Sequence, residues 1–254
     1  MRGAGIKVIG AVKTFGGLRA LDGVDVEIRP ATISLLVGPN GSGKTTLINV
    51  ISGVLKPDAG KILLNDRDIT GLHPHEIYRA GVLRTWQIPQ PFLRMSVLEN
   101  VLVADGSHPG EGPISFILRR TRWIRYEEES VRRAYEFLRQ VRLDHLWDAE
   151  ASKLSGGQMK LLEIARALMS GAKVLLLDEP AAGVNPALAE EIFANLVRIK
   201  EGLGVTILIV EHRLEIAMKY TDWCYAMFGG KVIAEGKPEA VLADTRVIES
   251  YLGG

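Results

Sequence analysis

Gly38-Pro-Asn-Gly-Ser-Gly-Lys44-Thr45 is the stretch that decides the fold. It fits the pattern G-x-x-x-x-G-K-[ST], and it lies between a predicted strand and a predicted helix. Gly41 and Gly43 let the backbone turn its N–H groups toward phosphate oxygens. Lys44 supplies a positive charge, and Thr45 supplies a hydroxyl for Mg²⁺. The run therefore predicts a phosphate-binding loop.

A second chemical signal is an apolar run that ends in two acids, Val174-Leu-Leu-Leu-Asp178-Glu179. Such a run predicts a buried strand whose carboxyl end brings both acids beside the phosphate loop. Asp178 then suits Mg²⁺, either as a direct ligand or from one shell further out, and Glu179 suits the base that polarises an attacking water. Taken alone, the run also fits a strand end with solvated acids.

A third signal is Leu154-Ser-Gly-Gly-Gln158, which precedes a predicted helix. Two glycines at a helix start form an anion site, and Ser155 can cap that helix. Because one chain needs only one phosphate loop, the second anion site indicates that it serves the nucleotide of another molecule. An ordinary helix N-cap is the alternative for this motif alone.

Composition and charge narrow the class of protein. The chain has 254 residues, of which 47% are hydrophobic and 24% charged, so a disordered, collagen-like or coiled-coil protein is excluded. A net charge of +1 argues against a dedicated nucleic-acid binder. The single Cys224 excludes an internal disulfide and fits a reducing compartment. No apolar run reaches the roughly 18 residues of a membrane span, and residues 1–10 predict no secretory signal.

Strand and helix patterns alternate along most of the chain, which predicts an α/β fold with a mostly parallel sheet covered on both faces. The predicted strands are Ile6–Val12, Val24–Ile28, Thr32–Val37, Lys61–Leu64, Lys173–Leu177, Val205–Val210, Trp223–Phe228 and Lys231–Ala234. The predicted helices in the sheet regions are Lys44–Ser52, Pro186–Lys200 and Leu214–Tyr220. Residues 96–166 change to helical periods, so we expect a helical subdomain there, inserted into a core of residues 1–95 and 167–254.

Together these motifs resemble the ATP-binding subunit of an ABC transporter, over nearly the whole chain. The resemblance implies one domain with a RecA-like P-loop NTPase core, an antiparallel β-subdomain and an inserted helical subdomain. It implies an ATPase with ATP and Mg²⁺ as cofactors. In that family two copies, identical or paralogous, close head to tail, and each nucleotide lies between one copy's phosphate loop and the other's Leu154–Gln158 signature.

The resemblance assigns further positions. Phe15 falls where the family stacks an aromatic ring on adenine; a strand-end residue packed inward is the alternative. Gln87, in Arg84-Thr-Trp-Gln-Ile-Pro-Gln-Pro, resembles the glutamine that approaches Mg²⁺ and the water and links the core to the helical subdomain. Gln90 is a nearby rival, and a plain polar loop residue is the other alternative. His212 resembles the switch histidine that contacts the γ-phosphate.

The candidate site consists of three overlapping sets. The catalytic set is Lys44, Gln87, Glu179 and His212, and the metal set is Thr45, Gln87 and Asp178. The nucleotide-binding set is Phe15, Gly38, Pro39, Asn40, Gly41, Ser42, Gly43, Lys44, Thr45, Thr46, Ser155, Gly156, Gly157 and Gln158.

Two positions depart from the commonest family pattern. Asn185 stands where many members have aspartate; with Pro186 it suits an N-cap and first-turn pair, and an intersubunit contact is a second role. Arg213 stands where an acidic residue is often found, and the sequence offers no physical account of it. His73 and His75 flank a proline in a predicted loop and have no further metal ligands around them.

Within the family, four sequence runs are similar to those of the ATPase subunits of branched-chain (hydrophobic) amino-acid importers. The matching runs are Phe15-Gly-Gly-Leu-Arg-Ala-Leu, Arg84-Thr-Trp-Gln, Leu177-Asp-Glu-Pro-Ala-Ala-Gly-Val-Asn-Pro186 and Ser250-Tyr-Leu-Gly. This similarity implies a peripheral ATPase at the cytoplasmic face of the cell membrane, with permease subunits as partners and an extracytoplasmic solute-binding protein as an indirect one. Urea or amide importers, lipopolysaccharide-export ATPases, a soluble ABC ATPase outside transport, and a module that binds ATP without hydrolysis are the alternatives.

Two segments are candidates for outside contacts. Residues 114–125 gather four arginines beside apolar side chains, which fits a solvated surface helix or, alternatively, contact with anionic headgroups. The loop after Gln87 carries Ile88, Pro89, Pro91 and Phe92, an apolar set that suits a permease contact.

Overall fold

The computed structural model describes residues 3–85, 90–106 and 120–252, without the side chains of 120–123. The chain divides into two compact units, Met1–Gln87 with Lys173–Gly254, and Ile88–Ala172.

The strands and helices follow in chain order. The strands are β1 Ile6–Phe15, β2 Leu18–Ile28, β3 Ile33–Val37, β4 Ala59–Leu64, β5 Arg67–Asp68, β6 Val82–Arg84, β7 Val174–Asp178, β8 Thr206–Val210, β9 Trp223–Phe228 and β10 Lys231–Gly236. The helices are α1 Lys44–Ile51, α2 Pro74–Ala80, α3 Val97–Leu102, α4 Arg120–Gln140, α5 Gly156–Met169, α6 Pro186–Leu203, α7 Leu214–Ala217, α8 Pro238–Leu242 and α9 Thr245–Leu252.

The first unit contains a six-stranded sheet in the order β10-β9-β3-β8-β7-β6. Its strand pairs are parallel except for β9 with β10. All residues of β3 and β8 are buried, which explains why their sequences are mainly apolar rather than alternating. The predicted mostly parallel sheet is confirmed, and β3 and β7 lie on either side of β8.

A second sheet of the first unit is antiparallel, in the order β2-β1-β4-β5. Its inward residues, such as Ile6 and Val26, join one buried cluster with Leu47 of α1 and Met227 of β9. Because α1 contributes its apolar face to the core that both sheets share, the start of α1 is held firmly next to the end of β3.

The second unit is helical within its described residues and contains α3, α4 and α5. The N-cap of α3 is Ser96, whose hydroxyl accepts the N–H of Glu99 while that glutamate accepts the N–H of Ser96. Asp105 is buried and accepts hydrogen bonds from the side chains of Tyr126 and Ser130 of α4. Residues 107–119, which include the start of the arginine-rich stretch 114–125, lie outside the described residues.

One local prediction is wrong. His75 does not lie in a loop, because α2 begins at Pro74, a residue whose fixed φ suits the first turn of a helix, and His73 precedes this helix as its N-cap. The N–H of His73 donates to the carboxylate of Glu76 at 2.9 Å, which satisfies one of the free donors at that helix start. In the part of the chain that the structure describes, no helix combines the length and the apolar character of a membrane span.

Candidate functional site

The phosphate-binding loop occupies residues 38–43, between the end of β3 and the start of α1. Gly38 has φ of 146°, and a Cβ there would lie 2.2 Å from the backbone oxygen of Met227. Gly43 has φ of 106°, and its Cβ would lie 2.5 Å from the backbone oxygen of Ala20. Only glycine combines these dihedrals with such close approach, so both positions are fixed by the surrounding backbone.

Lys44 begins α1 and turns its ammonium into the loop. Its Nζ donates to the backbone oxygens of Gly38 at 2.8 Å and Pro39 at 2.9 Å. Burial lowers the pKa of Lys44, while the nearby carboxylates of Glu179 and Asp178 act in the opposite direction. The loop, the lysine and the two acids therefore lie within electrostatic reach of each other, as the sequence predicts.

The other predicted loop contacts differ in exposure. Asn40, Gly41 and Thr45 are exposed, Pro39, Gly43 and Thr46 are half-buried, and Gly38, Ser42 and Lys44 are buried. Thr45 is exposed in the first turn of α1, where the backbone N–H groups have no partner within the helix and can bind an anion.

Asp178 and Glu179 end β7 at the carboxyl edge of the sheet. Asp178 is half-buried, and its Oδ2 accepts from Nη2 of Arg84 at 2.9 Å. Glu179 has φ of 52°, a left-handed conformation that costs a non-glycine residue about 1–2 kcal/mol. Its N–H donates to the backbone oxygen of Val210 at 2.9 Å, and this contact holds the strained residue against β8.

His212 follows β8 and faces Glu179. Its Nε2 lies 3.4 Å from Oε1 of Glu179, and both side chains are partly exposed. At this distance the imidazole is the immediate neighbour of the Glu179 carboxylate.

Glu211 is a buried residue beside the candidate site whose role the sequence does not predict. It is only 2% exposed, and its carboxylate accepts the backbone N–H of Ala181 at 2.8 Å and those of His212 and Arg213 at 3.0 and 3.3 Å. One buried carboxylate thus joins the loop after Glu179 to the loop that carries the histidine. In the sequence it is merely the polar residue that ends an apolar strand.

Asn185 and Arg213 receive structural roles. The Oδ1 of Asn185 accepts the N–H of Leu188 at 2.9 Å, so this residue caps α6 as expected. Nη1 of Arg213 donates to the backbone oxygen of Val184 at 2.8 Å and ties the histidine loop to the residue before that cap.

Tyr251 brings the C-terminal helix α9 to the phosphate loop. The N–H of Gly38 donates to the Tyr251 hydroxyl oxygen at 2.8 Å. The sequence marks this tyrosine only as part of the Ser250-Tyr-Leu-Gly run, because a contact between residues so far apart has no local signal.

Phe15 ends β1 and is 46% exposed, so the alternative that it packs inward is wrong. The ammonium of Lys13 lies 5.8 Å from the centre of its ring. An exposed aromatic face is available for stacking on a planar ligand.

The Leu154–Gln158 signature belongs to the second unit. The Ser155 hydroxyl accepts the N–H of Gln158 at 3.3 Å, and the Gln158 side chain accepts the N–H of Ser155 at 2.9 Å. Gly156 is exposed, and a Cβ there would meet nothing within 4 Å. Gly157, the next residue, is buried. The first N–H groups of the helix are thus capped by Ser155 and Gln158, while the surface at Gly156 is open to solvent.

Of the two glutamines considered for the Mg²⁺-proximal position, the structure describes only one. Gln87 lies outside the described residues. Gln90 is described, and its backbone oxygen accepts from Nη1 of Arg166 at 3.0 Å.

These residues fit ATP with Mg²⁺. The glycine cradle formed by Gly38 and Gly43 leaves no space for a side chain at either position, the loop carries a buried lysine, and Thr45 and Asp178 provide oxygen atoms. Among the described residues, no group of three or more His, Cys, Asp or Glu could hold a metal by itself. Mg²⁺ at nucleotide sites is generally held by one or two protein oxygens together with phosphates and water.

Comparisons with known proteins agree with this geometry. A family model described as ABC transporter matches residues 21–182, and one described as branched-chain amino acid ATP-binding cassette transporter matches residues 231–254. The chain is 52% identical to a probable branched-chain amino acid transport ATP-binding protein LivG of Archaeoglobus fulgidus, covering 95% of this chain and 92% of that one. It is 38% identical to the high-affinity LivG protein of Escherichia coli K12, covering 98% and 97%.

Solved structures give the same picture. The ADP conformation of an ATP-binding cassette of an ABC transporter superposes with a TM-score of 0.85 at 46% identity, covering 100% of both chains. A nucleotide-free cassette from an ABC transporter gives a TM-score of 0.83 at 45% identity, again over 100% of both chains.

Proposed function

The chain belongs to the ABC transporter family of ATP-binding proteins, and from that membership we propose that it hydrolyses ATP to drive uptake of branched-chain amino acids through separate permease subunits. The names of its LivG relatives and the C-terminal family match over residues 231–254 support this cargo.

One observation carries the ATPase assignment. Glu179 is held in a strained conformation at the end of β7, with His212 at 3.4 Å and the Lys44 loop within electrostatic reach. Strain of this kind persists where the surrounding structure fixes a residue for its chemistry. A carboxylate held next to a phosphate loop can orient a water for attack on the γ-phosphorus.

Each residue has a distinct part in the proposed reaction. Lys44 and the loop N–H groups bind the β- and γ-phosphates, and the exposed ring of Phe15 stacks on the adenine. Glu179 holds the attacking water and accepts its proton, while His212 orients that carboxylate and contacts the γ-phosphate. Thr45 and Asp178 would hold Mg²⁺, together with Gln87 as the family resemblance implies, and the bound cation would supply positive charge to the phosphates.

The proposed assembly needs a second ATP-binding subunit. The open helix start at Ser155–Gln158 would complete the nucleotide site of that partner, and the partner's signature would complete the site of this chain. Phe92 and Leu93 are 49% and 51% exposed, which supports a permease contact next to the predicted loop. The ATPase would then lie at the cytoplasmic face of the membrane, with an extracytoplasmic solute-binding protein acting through the permeases.

The decisive variant is Glu179→Gln, with Glu201→Gln, exposed near the end of α6, as the matched control. Glu179→Gln should bind a fluorescent ATP analogue, lose turnover by at least about 100-fold and accumulate dimers on size-exclusion chromatography. Glu201→Gln should behave as the parent protein. Normal hydrolysis by Glu179→Gln would refute the catalytic assignment.

The cargo needs a separate experiment on the assembled transporter. Mild-detergent purification of the tagged chain from its native cells should recover polytopic permeases, and leucine-loaded binding protein should stimulate ATP turnover. Permeases without leucine stimulation would keep the transport ATPase and reopen the cargo, with urea, amide or lipopolysaccharide transport among the alternatives. Recovery of no membrane partner would favour a soluble ABC ATPase.

A further inference from the structure

Arg84 is a buried cation in direct contact with the acid at the end of β7. It is the last residue of β6, its side chain is only 7% exposed, and its Nη2 lies 2.9 Å from Oδ2 of Asp178. Its Nη1 donates to the side-chain oxygen of Asn49 in α1. All three residues belong to the first compact unit, so the contacts form within one body.

The two contacts connect the acid to the helix that carries the phosphate loop. Lys44 and Thr45 stand in the first turn of α1, and Asn49 lies one turn further along the same helix. The guanidinium has a planar fork of donors that can bind a carboxylate and an amide oxygen at once, which a lysine ammonium cannot match in geometry. Arg84 therefore sets the distance and direction of Asp178 relative to α1.

Charge balance gives this contact a second consequence. Arg84 and Lys44 provide two positive charges, and Asp178 and Glu179 provide two negative charges within the same region. A buried carboxylate whose partner is removed is strongly unfavourable. Any cation that approaches Asp178 must share this carboxylate with the guanidinium that already holds Oδ2.

We propose that Arg84 is a positioning residue whose guanidinium provides, beside Asp178, the positive charge that Mg²⁺ provides when it is bound. Arg84 neutralises and orients Asp178 while no Mg²⁺-nucleotide is bound, and it competes with Mg²⁺ for that carboxylate. The proposal rests on the proposed function, which makes Asp178 the acid on the metal side of the nucleotide. Arg84 acts through Asp178 and touches no reacting atom.

The test compares binding of a fluorescent ATP analogue in EDTA and in Mg²⁺, in the full chain. The quantity is the ratio of the Kd in EDTA to the Kd in Mg²⁺. Arg84→Gln should raise this ratio by about fivefold or more, the lower end of ordinary coupling between ligands, because the competitor for Asp178 is gone and metal-free ATP meets an uncompensated carboxylate. Arg84→Lys, which keeps the charge, should bring the ratio back toward the parent value.

The control variant is Arg79→Gln, an exposed arginine on α2, which should leave the ratio unchanged. An unchanged or lower ratio in Arg84→Gln, with equal losses of thermal stability in the free and Mg²⁺-nucleotide-bound forms, would overturn the proposal and leave Arg84 a purely structural residue.

A second measurement covers the case in which Arg84→Gln does not fold. The double variant Arg84→Gln/Asp178→Asn contains no unpaired buried charge, so it should recover the melting temperature that Arg84→Gln loses. A double variant no more stable than Arg84→Gln would overturn the pairing. Because this comparison uses nucleotide-free protein, it stands apart from the proposed function, whose failure would show as absent ATP binding in the parent protein.

Discussion

Gly43→Ala tests whether the phosphate loop is fixed by its surroundings or only by its own backbone preference. Gly43 has φ of 106°, and an added Cβ would lie 2.5 Å from the backbone oxygen of Ala20 and 3.2 Å from Cε of Met227. Gly41, two residues earlier, has φ of 78°, but a Cβ there would meet nothing within 4 Å. Both alanines adopt an unfavourable φ, and only the one at Gly43 also meets neighbouring atoms.

The magnitude follows from these two costs. A left-handed conformation costs an alanine about 1–2 kcal/mol, and overpacking against fixed backbone costs about 1–3 kcal/mol more. Gly41→Ala should therefore lower the free energy of unfolding by about 1–2 kcal/mol and Gly43→Ala by about 2–5 kcal/mol. For a chain of this size, each kcal/mol shifts the melting temperature by about 2–4 °C, so the two variants should melt several degrees apart.

The assay is thermal unfolding of the nucleotide-free protein, followed by circular dichroism. Gly16→Ala serves as the control, since Gly16 has φ of 57° and open space around it, outside the phosphate loop. Gly16→Ala should have the same melting temperature as Gly41→Ala. Equal melting temperatures for Gly41→Ala and Gly43→Ala would refute the argument, because the backbone oxygen of Ala20 would then not constrain the loop.

Three further predictions follow from single contacts. Asn185→Ala removes the acceptor for the Leu188 N–H and should cost about 1 kcal/mol in chemical denaturation, whereas Asn185→Asp should retain most of the stability; equal losses would exclude the capping role. Cys224 is fully buried and burial raises its thiol pKa to about 12, so at pH 8 a thiol reagent should label it only as fast as the protein opens, and rapid labelling of native protein would contradict its burial. Hydrogen bonds from the Lys13 side chain and the Thr14 backbone lower the pKa of Asp58, so its stabilising effect is present above the unfolded-state pKa and disappears as the pH falls through the folded-state pKa. Asp58→Asn should therefore make the free energy of unfolding less dependent on pH on the acid side, below about pH 4. An unchanged dependence on pH would exclude this contact as a source of acid sensitivity.

Local sequence patterns predicted the elements whose stability is decided locally. The continuous apolar runs of β3, β7 and β8 indicated buried parallel strands, and the glycine pattern of residues 38–43 indicated the loop between β3 and α1. In each case the signal is short-range, because hydrophobic periodicity and positive φ act within a few residues. The prediction failed at α2, where Pro74 reads as a loop residue until its place in the first helical turn is known.

Contacts made across the fold had no such signal. The bonds from Arg84 to Asp178, from Gly38 to Tyr251 and from Ala181 to Glu211 join residues 94, 213 and 30 positions apart. The first and third depend on which strands are neighbours in the sheet, and the second depends on where the helix α9 packs; neither is set by sequence adjacency. The sequence therefore indicates candidate chemical groups for the site and does not indicate the residues that contact and position them.

The order of strands in the sheet also governs how this protein emerges during translation. β3 lies between β8 and β9, with Ile33 opposite Ile207 and Ser34 opposite Trp223. A buried strand with four apolar residues out of five is thus synthesised early, and about 170 residues must follow before either neighbour exists, roughly 10 to 35 s at ordinary rates of synthesis. Throughout that interval the nascent chain carries an unpaired apolar strand on which chaperones can act, and the glycine cradle acquires its final geometry only after the last third of the chain has left the ribosome.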